Sequence, residues 1–264
     1  MILSSWNINS VRIREELILR FINKVKPNIL FLQEIKCEES QFPYLFFENL
    51  NYDCFVIGQK ARNGVAIAVK KDIKINICEN INKKINTDLQ ARFIMIHLVD
   101  HNIDLCNVYV PNGNPVTDDK KFEYKVEWLK NLKCLLESYI YGEKKLILGG
   151  DFNVLENFKD VKNFNEWKND ALGHKKIINI FREIIGLGMF NVIRKFFLPG
   201  EKFSFWDYQK AAWDRNDGLL IDHFLVTPNL IDKINTFDIC SNFRGLPKPS
   251  DHVPIWMKID QISE

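Results

Sequence analysis

The chain has 264 residues, a length that fits one large domain or two average ones. Hydrophobic residues make up 46% of it, which is enough for a substantial core and excludes a disordered chain. Lys and Arg number 36 against 34 Asp and Glu, so the net charge is only +2. This balance excludes a strongly basic protein, and any phosphate-binding surface must therefore be a local patch.

The cysteines and the apolar segments exclude further classes. The six cysteines are widely spaced, with no Cys-x-x-Cys pair and no histidine at the spacing of a zinc site, so we expect reduced thiols in the core. The chain begins without a signal-peptide pattern, and no apolar run approaches the roughly 18 residues of a membrane span. We therefore predict a soluble cytoplasmic protein that does not enter a membrane.

Short apolar segments that end at polar residues predict strands at 2–8, 29–34, 65–70, 91–99, 103–110, 146–151, 221–227 and 255–259. Between them, apolar residues recur at intervals of three and four over 12–25, 119–141 and 174–185, a pattern that predicts amphipathic helices. Strands and helices are therefore interspersed, as in an α/β protein.

Some of the predicted strands are apolar on both faces, for example at 29–32 and 146–148. This pattern is typical of sheets that another layer covers on each side. We therefore predict an α/β fold, a four-layer α/β sandwich with two packed mixed β-sheets flanked by helices. Two strand-to-polar-turn units, one ending at Glu34 and one at Asp151, suggest a duplicated half, although no sequence period supports a repeat.

No linker rich in Pro, Gly or Ser divides the chain, so we expect a single domain over residues 1–264. The segments richest in Asn and Lys, 72–88 and 156–170, are predicted to be surface loops.

The predicted strand at 146–151 runs into Gly149, Gly150, Asp151 and then Asn153. In extended chain, residues two apart lie on one face, so Asp151 and Asn153 could together hold a metal or a water beside a phosphate. The glycines allow another backbone or a ligand to approach closely. A simple turn is the alternative, because Asp and Asn both favour turns.

The strand at 29–34 ends on Glu34, and the strand at 2–8 reaches Asn7 in the same way. A carboxylate at the end of a buried strand is unfavourable unless it is paired or binds a cation, so Glu34 is a candidate metal ligand. The alternatives are an ion pair between Glu34 and Lys36 at a solvated strand end, and a turn at Asn7.

Asp251 and His252 lie in a proline-rich loop before the predicted strand at 255–259. Asp222, at the start of another strand, could orient the imidazole of His252 through its second nitrogen, as carboxylates do for catalytic histidines. The other four histidines are interpreted as structural or surface residues; they are His97, His101, His174 and His223.

The candidate ligands Glu34, Asp151, Asn153 and Asp251 offer only oxygen atoms. Oxygen ligands select a hard cation, so Mg²⁺ or Mn²⁺ is predicted in preference to Zn²⁺. A magnesium ion with few protein ligands usually completes its coordination with phosphate oxygens of a substrate, which indicates phosphoryl chemistry.

Six short motifs, in order along nearly the whole chain, resemble those of the exonuclease III family of abasic-site endonucleases. They are Trp6-Asn7-Ile8-Asn9, Leu32-Gln33-Glu34-Ile35-Lys36, Tyr109-Val110-Pro111-Asn112-Gly113, Gly150-Asp151-Phe152-Asn153, Ile221-Asp222-His223 and Ser250-Asp251-His252. The resemblance implies a two-sheet sandwich with the site at one edge of the sheets, and a divalent metal, Mg²⁺ or Mn²⁺, as the cofactor.

The resemblance also implies a role for each motif residue. Glu34 is the principal metal ligand, and the metal site as a whole comprises Asn7, Glu34, Asp151, Asn153, Asp251 and His252. Tyr109 hydrogen-bonds the scissile phosphate, Asp151 orients or deprotonates the attacking water, and Asn153 positions the same group. His252, oriented by Asp222, contacts the phosphate and stabilises its developing charge.

The implied substrate is double-stranded DNA with abasic sites or blocked 3′ ends, handled by a monomer. The predicted pocket for a flipped-out baseless sugar comprises Phe205, Trp206, Leu219 and Ile221. Nearby basic residues are candidates for backbone phosphates; they are Arg92, Lys121 and Lys125.

Two alternatives stay open. One is an enzyme with the same metal core and another substrate, such as a deoxyribonuclease I-like nuclease, an inositol-phosphate phosphatase or a sphingomyelinase. The other is a DNA-binding module without catalytic activity. Metal-dependent incision of an oligonucleotide with one abasic analogue separates all three.

Overall fold

The structure is a computed structural model that describes residues 1–85 and 90–260. Two sheets of six strands dominate it. In spatial order, the first sheet contains β11 (Ile234–Ile239), β12 (Ile255–Ile259), β1 (Ile2–Asn7), β2 (Ile29–Gln33), β4 (Val65–Lys70) and β3 (Tyr52–Ile57). The second contains β5 (Ile75–Ile77), β6 (Phe93–Leu98), β7 (Ile103–Tyr109), β8 (Leu146–Asp151), β10 (Asp222–Val226) and β9 (Phe190–Asn191).

The two sheets share one pattern of pairing. Each has a single parallel pair in the middle, β1 with β2 and β7 with β8, and its other neighbouring strands are antiparallel. A long helix connects the strands of each parallel pair: α1 (Glu15–Val25) follows β1, and α4 (Asp119–Tyr141) follows β7. The duplicated half that the sequence suggests therefore exists as topology, without a sequence repeat.

The remaining helices are shorter, apart from α6 (Lys175–Gly186), which packs against α4. They are α2 (Tyr44–Asn49), α3 (Glu79–Ile85), α5 (Phe164–Trp167), α7 (Ile193–Phe196) and α8 (Pro228–Ile231). Of these, α2 packs against β3, α3 against β6 and α7 against β11. An amphipathic helix buries its apolar stripe in this way. None of the helices in residues 1–85 and 90–260 is both long enough and apolar enough to span a membrane.

A polar contact joins the two sheets inside the core. Gln33 of β2 donates from Nε2 to Oδ1 of Asn107 in β7 at 2.7 Å, and Asn107 donates from Nδ2 to the Leu32 and Ala66 carbonyls of the first sheet. Both side chains are fully buried. Buried amide groups must be hydrogen-bonded, so these contacts fix how the first sheet is positioned against the second.

The predicted sandwich is confirmed, and the three predicted helices lie within a few residues of their expected bounds. The prediction missed β3, β5, β9 and β11 together with the short helices. The predicted loop at 72–88 contains β5 and α3, and its residues 86–88 lie outside the described ranges. The predicted loop at 156–170 contains α5 and buries Asp160 and Val161, so it is only partly a surface loop.

Candidate active site

The carboxyl ends of the two parallel strand pairs converge at one edge of the sandwich. In the first sheet Asn7 is opposite Gln33, one residue before Glu34, and in the second Tyr109 is opposite Asp151. Parallel strands bring the residues that follow them to the same edge, and two packed sheets double the number of such residues. The site thus receives side chains from both halves of the fold.

Two glycines precede Asp151 because the backbone there is crowded. Gly150 has a φ of 147°, and a Cβ atom at this position would lie 2.0 Å from the Val108 carbonyl oxygen. A Cβ atom at Gly149 would lie 2.5 Å from the ring of Phe224. The close approach that the sequence predicts is therefore made by protein atoms, and it fixes the strand that carries Asp151.

Asn7 connects the two principal carboxylates. Its Nδ2 donates to Oε1 of Glu34 and to Oδ2 of Asp151, both at 2.9 Å, while its Oδ1 accepts from the Asn9 backbone N–H at 3.1 Å. The Asn9 contact defines which end of the amide faces the carboxylates. Asn7 therefore orients Glu34 and Asp151, and its own oxygen accepts from Asn9; its place in the metal site stays a prediction.

Glu34 lies at the more open side of the site. Lys36 Nζ is 2.9 Å from its Oε2, and the Glu34 side chain remains 18% exposed. Burial acts to raise the pKa of Glu34, but the Lys36 ammonium and the Asn7 amide outweigh it and hold the pKa below its usual range. The ion pair that was the alternative to a metal ligand is thus present, and it keeps Glu34 anionic.

Asp251 reaches the same side through a chain of contacts. Asn9 donates from Nδ2 to Oδ1 of Asp251 at 3.0 Å, and Lys36 Nζ donates to Oδ1 of Asn9. Ser250 also approaches Oδ1 of Asp251, at 3.3 Å. These contacts bring the loop before β12 next to the end of β2, so Glu34 and Asp251 line one cavity.

Asp151 is almost completely buried. Its Oδ1 accepts from the Asn153 backbone N–H at 2.9 Å, and Asn153 Nδ2 approaches its Oδ2 at 3.3 Å. Burial raises the pKa of Asp151, the neighbouring His252 opposes this shift, and the Asp222 carboxylate adds to it. A carboxylate with a raised pKa can exchange a proton near neutral pH.

His252 and Asp222 form the predicted pair. His252 Nδ1 is 2.9 Å from Oδ2 of Asp222, and Ser204 Oγ donates to the same oxygen at 2.6 Å. Burial would lower the pKa of His252, but the carboxylates of Asp222 and Asp151 outweigh it and raise the pKa. The imidazole is therefore held as a cation whose Nε2 is 3.6 Å from Oδ2 of Asp151, which favours a hydrogen-bond donor over a metal ligand.

Tyr109 lines the same cavity as His252. Burial and the carboxylates of Glu34 and Asp151 raise the pKa of Tyr109 well above its usual range, so the hydroxyl remains a donor. The Arg92 guanidinium stacks 4.7 Å from the centre of the Tyr109 ring and donates to the Tyr109 carbonyl at 3.3 Å. In the structure Arg92 thus supports Tyr109, and the contact of Arg92 with a DNA phosphate stays a prediction.

Lys121 is largely exposed, and its Nζ lies 3.6 Å from Oδ2 of Asp118. The predicted contact of Lys121 with a DNA phosphate also stays a prediction.

The catalytic cavity, about 290 Å³, is lined by Glu34, Tyr109, Asp151, Asn153, Asp251 and His252 on its polar side. Phe205 and Ile221 line its apolar side, and the Phe205 ring packs edge-on against His252 at 4.9 Å. Leu219 lines a neighbouring cavity instead, and Trp206 is buried in the main core with only 2% exposure. Of the predicted pocket, Phe205 and Ile221 therefore face the catalytic cavity, and Trp206 does not.

Lys125 has a different place from the one the sequence indicated. It is fully buried, and its Nζ donates to the carbonyls of Asn112, Asn153 and Ala171 at 3.0, 2.6 and 3.2 Å. A group with no exposed surface cannot contact a DNA backbone, so the predicted phosphate contact is wrong. Lys125 instead joins three loops of the site, and burial lowers its pKa to about 7.

Sequence reasoning missed Ser204 and Trp167 as site residues and gave Lys125 the wrong role. A signal existed for Lys125, which lies among Phe122, Val126 and Leu129 on the apolar stripe of α4. Trp167 could have been noticed as an aromatic residue within a segment of Asn and Lys. No local signal marks Ser204, because its partner Asp222 follows 18 residues later.

The donor set fits a hard divalent cation. Glu34 and Asp251 supply carboxylate oxygens to one cavity, and Asp151 and Asn153 lie beside them. The prediction that the ligands include no sulfur is consistent with this geometry. All six cysteines are free thiols, and none of them lines this cavity. Ligand atoms of Asp151, Asp222 and His252 also lie within 4.8 Å of one another, but the imidazole already binds Asp222.

Comparison with known proteins agrees with the fold. Residues 4–252 match the model of the endonuclease/exonuclease/phosphatase family. The chain is 32% identical over 263 residues to exodeoxyribonuclease III of Haemophilus influenzae, covering 96% of this chain and 97% of that protein. It therefore belongs to the endonuclease/exonuclease/phosphatase family, and the resemblance to exonuclease III is confirmed.

Two solved structures are similar over nearly the whole chain. The 3′ phosphatase NExo from Neisseria, bound to a product DNA hairpin, has a TM-score of 0.87 at 28% identity and covers 99% of this chain and 100% of its own. An AP endonuclease from Archaeoglobus fulgidus has a TM-score of 0.85 at 29% identity, with the same coverage of 99% and 100%.

Proposed function

We propose that the protein is a DNA-repair nuclease that hydrolyses the phosphodiester on the 5′ side of abasic sites. It also removes blocking groups from 3′ ends and degrades duplex DNA from 3′ to 5′. The observation that carries the proposal is one cavity in which Glu34, Asp151 and Asp251 face the His252–Asp222 pair beside an apolar wall. The names of the relatives support the same substrate, because they include exodeoxyribonuclease III and an AP endonuclease.

The cofactor is proposed to be Mg²⁺ or Mn²⁺, held chiefly by Glu34 and Asp251 with Asp151 and Asn153 adjacent. When bound, such a cation polarises a phosphate oxygen and neutralises charge on the scissile group. We propose that the enzyme acts as a monomer in the compartment that contains DNA; a cytoplasmic location stays a prediction.

The protein residues divide the remaining work. The protonated imidazole of His252 donates from Nε2 to a phosphate oxygen as negative charge develops, and Asp222 with Ser204 keeps the ring in place. Asp151, whose pKa is raised, accepts a proton from the attacking water. The Tyr109 hydroxyl, which lines the same cavity, donates to the phosphate. These are positioning and electrostatic tasks, which phosphoryl transfer chiefly requires.

The direct test uses a duplex oligonucleotide with one tetrahydrofuran abasic analogue. We expect incision on its 5′ side with Mg²⁺ or Mn²⁺ and none in excess chelator, with Asp151→Asn as the inactive control. Incision that continues in excess chelator would contradict the metal assignment. Absence of incision together with hydrolysis of an inositol phosphate would favour the other substrate class.

Selectivity for damage is expected to depend on Phe205. A metal and a phosphate clamp cannot distinguish one backbone linkage from another, so the apolar wall must exclude ordinary nucleotides. Phe205→Ala should reduce abasic incision by about tenfold and narrow the preference for abasic over intact DNA, because shape discrimination in such pockets is about 1–3 kcal/mol. Phe205→Tyr, which keeps the ring that packs against His252, is the matched control. An unchanged preference in Phe205→Ala would place the selectivity elsewhere.

A further inference from the structure

A second cavity adjoins the catalytic cavity. It measures about 400 Å³ and shares two residues with the catalytic cavity, Trp167 and Asp207. We call it the side cavity; its apolar floor comprises Val161, Ala212 and Leu219. None of the motifs discussed above accounts for it.

One hydrophobic cluster forms the floor of both cavities. Val161 and Leu219 belong to the same cluster as Leu172 and Ile221, which line the catalytic cavity. Trp167 packs against this cluster and is partly exposed. The two cavities are therefore compartments of one depression that are separated by Trp167 and Asp207.

The charges around the side cavity balance. Three cationic residues line it, Lys162, Lys210 and Arg215, and so do three acidic ones, Glu166, Asp207 and Asp217. Asp217 lies 3.2 Å from Lys162 and 2.5 Å from Arg215, so two of the cations are already paired. A cavity with balanced charge gives a phosphate little attraction, whereas an apolar floor, a tryptophan and a polar rim suit a nucleobase.

The size of the catalytic cavity leads to the same conclusion. Its 290 Å³ lies at the lower limit of ligand pockets, which span about 300–1,000 Å³. A phosphodiester and a baseless sugar are small enough for it, whereas an intact nucleotide must direct its base elsewhere. The side cavity adjoins the catalytic cavity at Trp167, which lines both, and it can receive that base.

We propose that the side cavity binds the nucleobase of an intact nucleotide whose phosphodiester occupies the catalytic cavity, with the base stacked on Trp167. This proposal rests on the proposed function and deepens it. Removal of intact 3′ nucleotides then uses both cavities, while abasic incision and removal of a 3′ phosphate use only the catalytic one. The two kinds of activity are therefore separable by substitutions in the side cavity.

The test fills the side cavity without touching the catalytic residues. Asn163 and Gln209 are exposed and line the side cavity but not the catalytic cavity, so Asn163→Trp and Gln209→Trp should obstruct the side cavity. Lys168→Trp is the matched control, because Lys168 is an exposed neighbour of Trp167 that lines neither cavity. Each variant is assayed with Mg²⁺ on three duplexes: an intact recessed 3′ end, an internal abasic analogue and a 3′ phosphate.

We expect both filling variants to lower kcat/KM for the intact 3′ end by about tenfold, within the range reported for loss of one stacked base. The other two substrates should change by less than about twofold, and Lys168→Trp should resemble the wild type. Equal losses on all three substrates, or no loss on the intact end, would overturn the proposal. So would a wild-type enzyme that incises abasic DNA and removes no intact nucleotide, whereas inactivity on every duplex would instead refute the proposed function.

A binding measurement gives a readout that is independent of turnover. In the inactive Asp151→Asn background with Mg²⁺, a bound duplex with 2-aminopurine as its 3′-terminal base should fluoresce less than it does when bound to the same protein with Trp167→Ala, because Trp167 quenches the base that stacks on it. Adding Trp167→Ala should restore the fluorescence, and 2-aminopurine placed ten nucleotides from the end is the control. Equal quenching with and without Trp167 would contradict stacking at this residue.

Discussion

The two β–α–β units have the same topology, yet they place their carboxylates in opposite electrostatic environments. The unit β1–α1–β2 ends at Glu34, which is partly exposed and paired with Lys36, and its pKa is lowered. The unit β7–α4–β8 ends at Asp151, which is buried, and its pKa is raised. Opposed environments of this kind assign different tasks to like groups. Glu34 is suited to a cation and Asp151 to a proton.

The largest expected effect comes from Asp151→Asn, which removes the proposed proton acceptor and keeps the shape of the side chain. We expect kcat to fall by about 10³-fold, within the range for a positioned acid or base. The Mg²⁺ concentration for half-maximal activity should change little, because the cation is assigned chiefly to the other unit. A metal titration of residual activity checks this, and a large shift in metal requirement would show that Asp151 is a principal ligand.

Asp222→Asn should have the next largest effect. The amide cannot stabilise the His252 cation, so kcat should fall by about 10²-fold, the upper range for loss of an orienting partner. DNA affinity should change by less than about twofold, because the loss concerns the transition state and not the bound ground state. Equilibrium binding to an abasic duplex alongside single-turnover rates makes the comparison. Similar losses in both quantities would make Asp222 a structural residue.

Glu34→Gln tests the other unit. We expect the Mg²⁺ concentration for half-maximal activity to rise by about tenfold or more, with kcat partly recovered at saturating metal. Thermal unfolding without metal should remain within a few degrees of the wild type, since Glu34 is partly exposed. A kcat loss that no metal concentration relieves would mean that Glu34 acts on the proton or the phosphate directly.

Lys125→Met has the smallest expected effect on catalysis and addresses the helix of the second unit. The substitution leaves three buried carbonyls without their donor, while it also removes a buried charge. We expect the free energy of unfolding to fall by about 3 kcal/mol and kcat by less than about tenfold. Urea unfolding of this variant beside Lys125→Arg, which retains a cation, provides the measurement. Equal stability of Lys125→Met and the wild type would show that the three contacts contribute nothing net.

The sequence permits much of the fold to be predicted, because β4 and β8 are apolar runs with clear polar ends. Strands at the sheet edges were missed for physical reasons. In β11, polar residues face solvent and interrupt the run, and β5 and β9 are too short to show a period.

The candidate site likewise contains residues that the sequence predicts and residues that it does not. Residues at strand ends, such as Glu34 and Asp151, were found because a carboxylate that closes an apolar strand is conspicuous. The contact between Ser204 and Asp222 depends on a loop meeting the first residue of β10, which no local pattern shows. The orientation of Asn7 was also inaccessible, because only the position of the Asn9 backbone distinguishes its amide nitrogen from its oxygen.

The order in which the strands are synthesised determines when the candidate site can be completed. In its sheet β12 lies between β11 and β1, and the loop before it carries Asp251 and His252. Asn7, Glu34 and Asp151 are therefore synthesised well before β12 and His252. One edge of β1 stays unpaired, and the candidate site stays incomplete, until residues 251–259 have been added. The segment that completes the candidate site is thus also the one that joins β11 to β1.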